Sequence, residues 1–252
     1  MTADSCTALT PQRYLALLRE DVDRLAELAR DDLAAPVPPC PGWTLGDVLA
    51  HTAEVYLHKV EAMRIGARPD PWPPADIADR EPRALFTEAS TALLHELETR
   101  DPDAPTWTWH AADQRVRFWH RRMAQETAVH RVDAELATGQ AAPIDADLAT
   151  DGVDEVLRLM LDGPWWASYE TSAPVDARVR VESAGRAWTA TCSAREVDIS
   201  AGDDGPVAAT VRGEPHHVLL WLWGRVGDHA VRLDGDAEAV AAFRRRLVEA
   251  TQ

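Results

Sequence analysis

Residues Phe118–Thr138 read FWHRRMAQETAVHRVDAELAT, and their spacing decides both the fold and where to look for chemistry. At about 100° per residue, Trp119, Met123, Glu126, His130 and Ala137 share one stripe of a helix, with Phe118, Val129, Val132 and Leu136 beside it. Arg121, Ala128, Arg131 and Glu135 take the opposite side, which reads as the solvent face. A carboxylate and an imidazole inside an apolar stripe need a partner, because a lone buried charge is too costly to keep. On an exposed face the same i,i+4 pair would only support the helix weakly. The simplest partner for the buried pair is a metal ion. A second imidazole from a neighbouring helix, His51, then gives a candidate set of His51, Glu126 and His130.

Three further helices precede this one. Pro11–Leu33 carries Tyr14, Leu17, Leu18, Val22, Leu25 and Leu28 at three-and-four spacing and ends before the breaker APVPPCPG. Thr44 is the expected N-cap of a second helix running to about Ile65, with Asp47 serving its first turn. The Pro-rich ARPDPWPPADI is a connection, a third helix covers Pro82–Glu98, and RDPDAPTWTWHAADQRV leads into the fourth. Four amphipathic helices in succession predict a bundle. At TGQAAPIDADL the helical pattern stops, with Gly139 and Pro143 marking a boundary between domains 1–148 and 149–252. Beyond it come a helix near Asp151–Leu161 and short alternating segments, VDARVRVES, RAWTATCSA, REVDIS and PVAATVRG, set off by turn residues. A helix over Glu214–Trp223, a strand HAVRLDG and a final helix Ala237–Ala250 complete a small α+β domain with an antiparallel sheet.

A formal net charge of −16, with no basic stripe to offset it, argues against nucleic acid and anionic lipid as partners. No apolar run reaches the length of a membrane span and no leader pattern opens the chain, so the expectation is a soluble, cytoplasmic protein. Cys6, Cys40 and Cys192 are few, scattered and odd in number, which suits a reducing compartment. Lys59 is the sole lysine among 26 basic residues, a bias that suits a GC-rich genome.

Two histidines and a glutamate leave one coordination position open for water or substrate, whereas structural zinc sites fill all four with protein. The set therefore implies Lewis-acid or nucleophile activation. Non-haem iron suits the same donors; zinc is preferred. Cys40 in PCPGW sits in a turn, outside this pattern.

The pair CPGWTLGDVLAH and FWHRRMAQETAVHRVDAELA resembles the DinB-like, mycothiol-dependent maleylpyruvate isomerase family of actinobacteria. The resemblance spans most of the chain. It implies a metal-binding four-helix bundle followed, from LATDGVDEVL through WLWGR, by a C-terminal domain similar to sterol-carrier folds. It also implies a divalent metal, usually zinc, held by His51, Glu126 and His130, and the thiol of mycothiol as the ligand at the open position. A metal-bound thiol is deprotonated, so none of the chain's cysteines is required as nucleophile. The expected reaction is addition of that thiolate to a small electrophile. In an isomerase it adds to the cis double bond of an unsaturated acid, lets the new single bond rotate, and leaves; in an S-transferase it stays attached. A non-catalytic metal- or ligand-binding protein and a hydrolase using metal-bound hydroxide are the alternatives. Monomer and homodimer are both compatible with the sequence.

Arg225, in WLWGR, has two readings: a cation favoured at a helix end, or, as the family's C-terminal domain implies, a fork that binds a substrate carboxylate. Arg122 is expected to pair with Glu126 or Asp133, and Asp133 with an arginine rather than with His130. His58, His110 and His120 are expected to be solvated or to line a cleft. His216 and His217 open a helix with no metal set. Trp43, Trp107 and Trp109 are candidates for a pocket mouth, although burial is the commoner role of tryptophan.

Overall fold

The computed structural model describes residues 8–30, 32–77, 79–139, 141–162, 176–193, 196–202 and 205–251; Cys6 lies outside them. The chain divides into two units, Leu9–Ile144 and Asp145–Gln252.

The first unit holds α1 (Pro11–Leu28), α2 (Leu45–Ile65), α3 (Pro82–Thr99) and α4 (Val116–Thr138). The Thr10 side chain accepts the Arg13 N–H and Pro11 sits where its missing N–H does no harm, which fixes the start of α1. That helix ends at Leu28, short of the expected Leu33. The chain beyond it is diverted by other bonds: Asp32 Oδ1 accepts the Ala34 N–H, and the carbonyls of Leu33 and Ala35 accept the N–H groups of Gly46 and Leu45. This strap lies so close that a Cβ on Gly46 would come within 3.3 Å of the Leu33 oxygen. At the head of α2, Thr44 and Asp47 form a reciprocal capping box, each side chain accepting the other's backbone N–H.

Helix α1 packs chiefly on α4 and α2 on α3, with α2 also against α4. The consequence is that α4 is covered on both sides, and the face expected in solvent is not there. Arg131 and Glu135 are buried, while Leu136 and Ala137, expected on the inner stripe, are half-exposed. The charges survive burial because α1 brings partners. Arg131 Nε lies 2.8 Å from Asp21 Oδ1, its Nη1 donates to Glu135 Oε2 at 2.6 Å, and Arg24 Nε donates to Glu135 Oε1 at 2.9 Å.

In the second unit, Asp145 caps α5 (Ala146–Glu155) by accepting the N–H groups of Asp147 and Leu148, and the helix continues as a π-helical segment, Val156–Leu161. It therefore starts five residues before the expected Asp151. Strands β1 (Ala177–Ser183), β2 (Arg186–Cys192), β3 (Val197–Ala201), β4 (Ala209–Arg212) and β5 (Arg232–Gly235) form one sheet in the order β3-β2-β1-β4-β5. Helices α6 (Pro215–Leu222) and α7 (Ala237–Thr251) flank β5 in sequence. The expected antiparallel sheet is corrected in one place: β1 and β4 run parallel. β1-β2-β3 is a meander whose third strand points like the first, and the chain then crosses to the free edge of β1 to lay down β4 in the same direction. Arg178 and Arg180 hold that crossing by donating to the carbonyls of Pro206 and Gly205 at 3.0 and 2.8 Å. The other face carries Val179, Val181, Trp188, Ala190, Ile199 and Val211, all buried, and α7 and the π-helical segment pack on the sheet.

Candidate metal centre

The capping box sets where α2 begins, and so places His51 two turns into it. Helix α4 faces α2, and a buried hydrogen bond ties the two: Thr127 Oγ1 spends its hydrogen on the Met123 carbonyl at 2.6 Å, so the Tyr56 hydroxyl donates to Thr127 at 2.6 Å. Close to this level, His51 from α2 and Glu126 and His130 from α4 converge. One donor atom from each lies within 4.8 Å of the others. The Nε2 atoms of His51 and His130 stand 3.6 and 3.2 Å from the same carboxylate oxygen, Glu126 Oε1.

Each ligand-type side chain is held from behind. Arg122, one turn before Glu126, donates to its second oxygen, Oε2, at 2.5 Å. Asp133 Oδ2 lies 3.1 Å from His130 Nδ1, a pairing that helix spacing alone ranked below one with arginine. Asp133 is fully buried, and a buried carboxylate one turn from an imidazole takes its N–H. That bond puts the proton on Nδ1 and leaves the Nε2 lone pair for a metal. Trp43, from the loop before α2, lies 5.1 Å from the His51 ring and stacks at 13° to the His130 ring at 6.3 Å. His51 is the exposed member, with 40 % of its side chain accessible. It opens onto a cleft of about 590 Å³ whose walls include Trp43, Asp47, Glu54, Ile77 and Arg80.

The electrostatics agree with this arrangement. Burial pushes the Glu126 carboxyl up, but His130, His51 and Arg122 together outweigh it and hold the group well below the usual carboxylate range. Burial likewise pulls His130 down, and Asp133 and Glu126 overcome it to raise the imidazole to about 9. Without a metal, Glu126 is thus an anion clamped by Arg122 and by a His130 imidazole that holds its proton. Two nitrogens and a carboxylate oxygen in this geometry suit a divalent ion.

The remaining sequence candidates are described within their own units. Arg225 lies in the second unit, just after α6. Its backbone N–H donates to the Leu220 carbonyl at 2.8 Å, its Nη1 to the Trp223 carbonyl at 3.0 Å, and its guanidinium sits 6.0 Å from the Trp223 ring. Cys40 is half-buried and outside the donor group. His120, expected in solvent or a cleft, is buried on α4 with its ring nitrogens 3.2 and 3.0 Å from the carbonyls of Val116 and Leu97. Trp107 packs on Trp119 and His58, and Trp109 on Phe118. Trp43 and Lys59 are the residues whose place near the centre the sequence pattern understates.

Two family models match the chain: the mycothiol maleylpyruvate isomerase N-terminal domain over residues 14–135, and the MDMPI C-terminal domain over residues 147–242. Among solved structures, a mycothiol-dependent maleylpyruvate isomerase is similar, with a TM-score of 0.64 at 15% identity over 91% of this chain and 95% of that one. A histidine-to-alanine mutant of a mycothiol-dependent maleylpyruvate isomerase gives a TM-score of 0.62 at the same identity and coverage. No curated protein matches. With both domain models in order along it, the chain belongs to the mycothiol maleylpyruvate isomerase family of enzymes.

Proposed function

We propose that this chain is a metal- and mycothiol-dependent enzyme of maleylpyruvate isomerase type, with His51, Glu126 and His130 holding a divalent metal, preferably zinc. The observation that carries the reading is the convergence of three donor atoms within 4.8 Å, with the far nitrogen of His130 engaged by Asp133. A metal held there leaves a position for an external ligand and supplies the charge that keeps a bound thiol deprotonated at neutral pH.

The chain's own residues then have distinct tasks. Glu126 stays anionic, and Arg122 fixes its second oxygen so that Oε1 alone points at the two imidazoles. Asp133 orients His130, and Trp43 walls the two rings on one side. In this reading Arg225 is the group in the C-terminal domain that binds a carboxylate of the substrate, its planar fork suiting that anion. Buried Cys192, whose thiol burial pushes up to about 12, takes no part. The substrate class is a small electrophile, with a cis-unsaturated acid favoured by the family.

The test is mass spectrometry and chromatography of zinc-loaded protein with mycothiol and a panel that includes maleylpyruvate. An isomer of unchanged mass formed only when thiol is present is the expected result, and a lasting thiol conjugate assigns S-transfer. Product formation independent of mycothiol would overturn the thiol reading and favour metal-dependent hydrolysis.

A further inference from the structure

Lys59 lies eight residues beyond His51 on α2, roughly 12 Å along the helix axis and about 80° around it. Helical side chains lean toward the N-terminus of their helix, so the lysine reaches back toward the turn that carries His51. Its Nζ sits 5.3 Å from the centre of the Trp119 ring and 3.3 Å from His58 Nδ1. An ammonium has no acceptor, so it donates to His58, and His58 accepts because burial, chiefly, lowers its pKa to about 4 and keeps it neutral. Two ammonium hydrogens are left.

The lysine is half-buried, yet among the described residues no carboxylate oxygen lies within ion-pair distance of its Nζ. The contrast with the buried arginines of α4 is direct, since Arg122 and Arg131 each hold a carboxylate. Burial pulls the lysine down to about 8, and what opposes that pull is the more distant field of Glu126 and Glu54. A divalent cation on Glu126 would neutralise that field and add repulsion of its own. In the metal-loaded protein the ammonium form of Lys59 therefore lacks the compensation that a bound carboxylate would restore.

We propose that Lys59 is an anion-binding residue of the metal centre and receives a carboxylate of the small acid bound there. The inference rests on the metal reading above and adds a residue of the bundle that holds the acid. One uncompensated cation with acidic neighbours matches a singly charged carboxylate better than a dianionic phosphate. Trp119 and His58 hold the ammonium between them, and neither supplies the anion it lacks. Lys59 acts here as a binding residue, holding one end of an acid whose reacting carbons lie nearer the metal.

Because Lys59 is the sole lysine of the chain, lysine labelled with ¹³C at Cε gives one side-chain signal that reports this residue alone. Maleate is the probe, with dimethyl maleate as its uncharged control, each added to metal-free and to zinc-loaded protein. Maleate should shift the signal and raise its titration midpoint, more strongly in the zinc-loaded form, and the ester should do neither. Lys59→Met, which keeps the apolar stem over Trp119, should weaken maleate binding by calorimetry at least tenfold with metal content and melting temperature unchanged; Lys59→Arg should recover part. Wild-type affinity in Lys59→Met, or a signal indifferent to maleate that demonstrably binds, overturns the proposal. Metal content is a separate readout: if zinc does not bind, the metal reading fails, and the lysine is judged by the same two outcomes on the metal-free protein.

Discussion

Replacing Asp133 by alanine should weaken metal binding in a way that depends on pH, because the carboxylate has two opposed effects on His130. It orients the imidazole and makes Nε2 a better donor, and losing such a partner typically costs about 10- to 100-fold in metal affinity. It also helps hold a competing proton. With His130 raised to about 9, a metal binding at pH 7 must displace a proton held about 100-fold in excess, from the two units between pH and pKa. Without Asp133, burial is opposed by Glu126 alone and the imidazole falls toward its ordinary value, so most of that competition disappears.

The two effects are of similar size at pH 7 and separate near pH 9, where the native imidazole is already half deprotonated. Competition against a chelator of known affinity, from pH 6.5 to 9, reads both. The native protein should gain close to tenfold in apparent zinc affinity per pH unit over the lower part of this range, with about one proton released per metal. The Asp133→Ala protein should be nearly flat above pH 7, close to the native affinity at pH 7 and about 10-fold or more weaker at pH 9. A loss by one constant factor at every pH would refute the assignment of the His130 proton to Asp133.

Glu126→Gln should abolish stoichiometric metal binding, measured by elemental analysis, since it removes the anion that both imidazoles and Arg122 face. For the metal-free protein, a raised His130 contributes stability that is complete below about 6.5 and lost as pH rises through about 9, so denaturant melts should lose up to about 3 kcal/mol across that window while zinc-loaded protein does not. Asp21, raised by burial to about 6, loses its contribution between about 3.8 and 6 and so stays out of that window. Arg131→Met should destabilise by about 3–5 kcal/mol, because Asp21 would be left buried without its guanidinium and Glu135 with Arg24 alone, with zinc stoichiometry retained. Combined Cys6→Ser, Cys40→Ser and Cys192→Ala should leave thiol-dependent turnover intact; its loss with metal content unchanged would place the nucleophile in the protein.

The helical half of the fold and the donor set were legible because both are written in local spacing. Glu126 and His130 are one turn apart on a stripe with Trp119 and Met123, and Thr44 and Asp47 announce the start of the helix that carries His51. What local spacing cannot carry is the identity of the neighbour. Arg131 and Glu135 read as a solvent face because their partners, Asp21 and Arg24, come from a helix about 110 residues away. The parallel pairing of β1 with β4 is hidden for the same reason: each strand alternates properly, and only the order in which edges are taken sets direction.

The cover over α4 also changes what makes the centre distinctive. Burial alone does not single out Glu126 and His130, since Arg131 and Glu135 are buried more deeply on the same helix. The two groups differ in how their charges are closed. Asp21, Arg24, Arg131 and Glu135 pair oppositely charged side chains at 2.6–2.9 Å, and every carboxylate there meets a permanently charged guanidinium. At the centre, Glu126 keeps one oxygen on Arg122 and turns the other toward two imidazoles, groups that can give up a proton and offer a lone pair instead. A guanidinium cannot make that exchange. Of the two buried ionic clusters on α4, one can only hold the bundle together, and the other can trade its protons for a cation without breaking the contacts that position it.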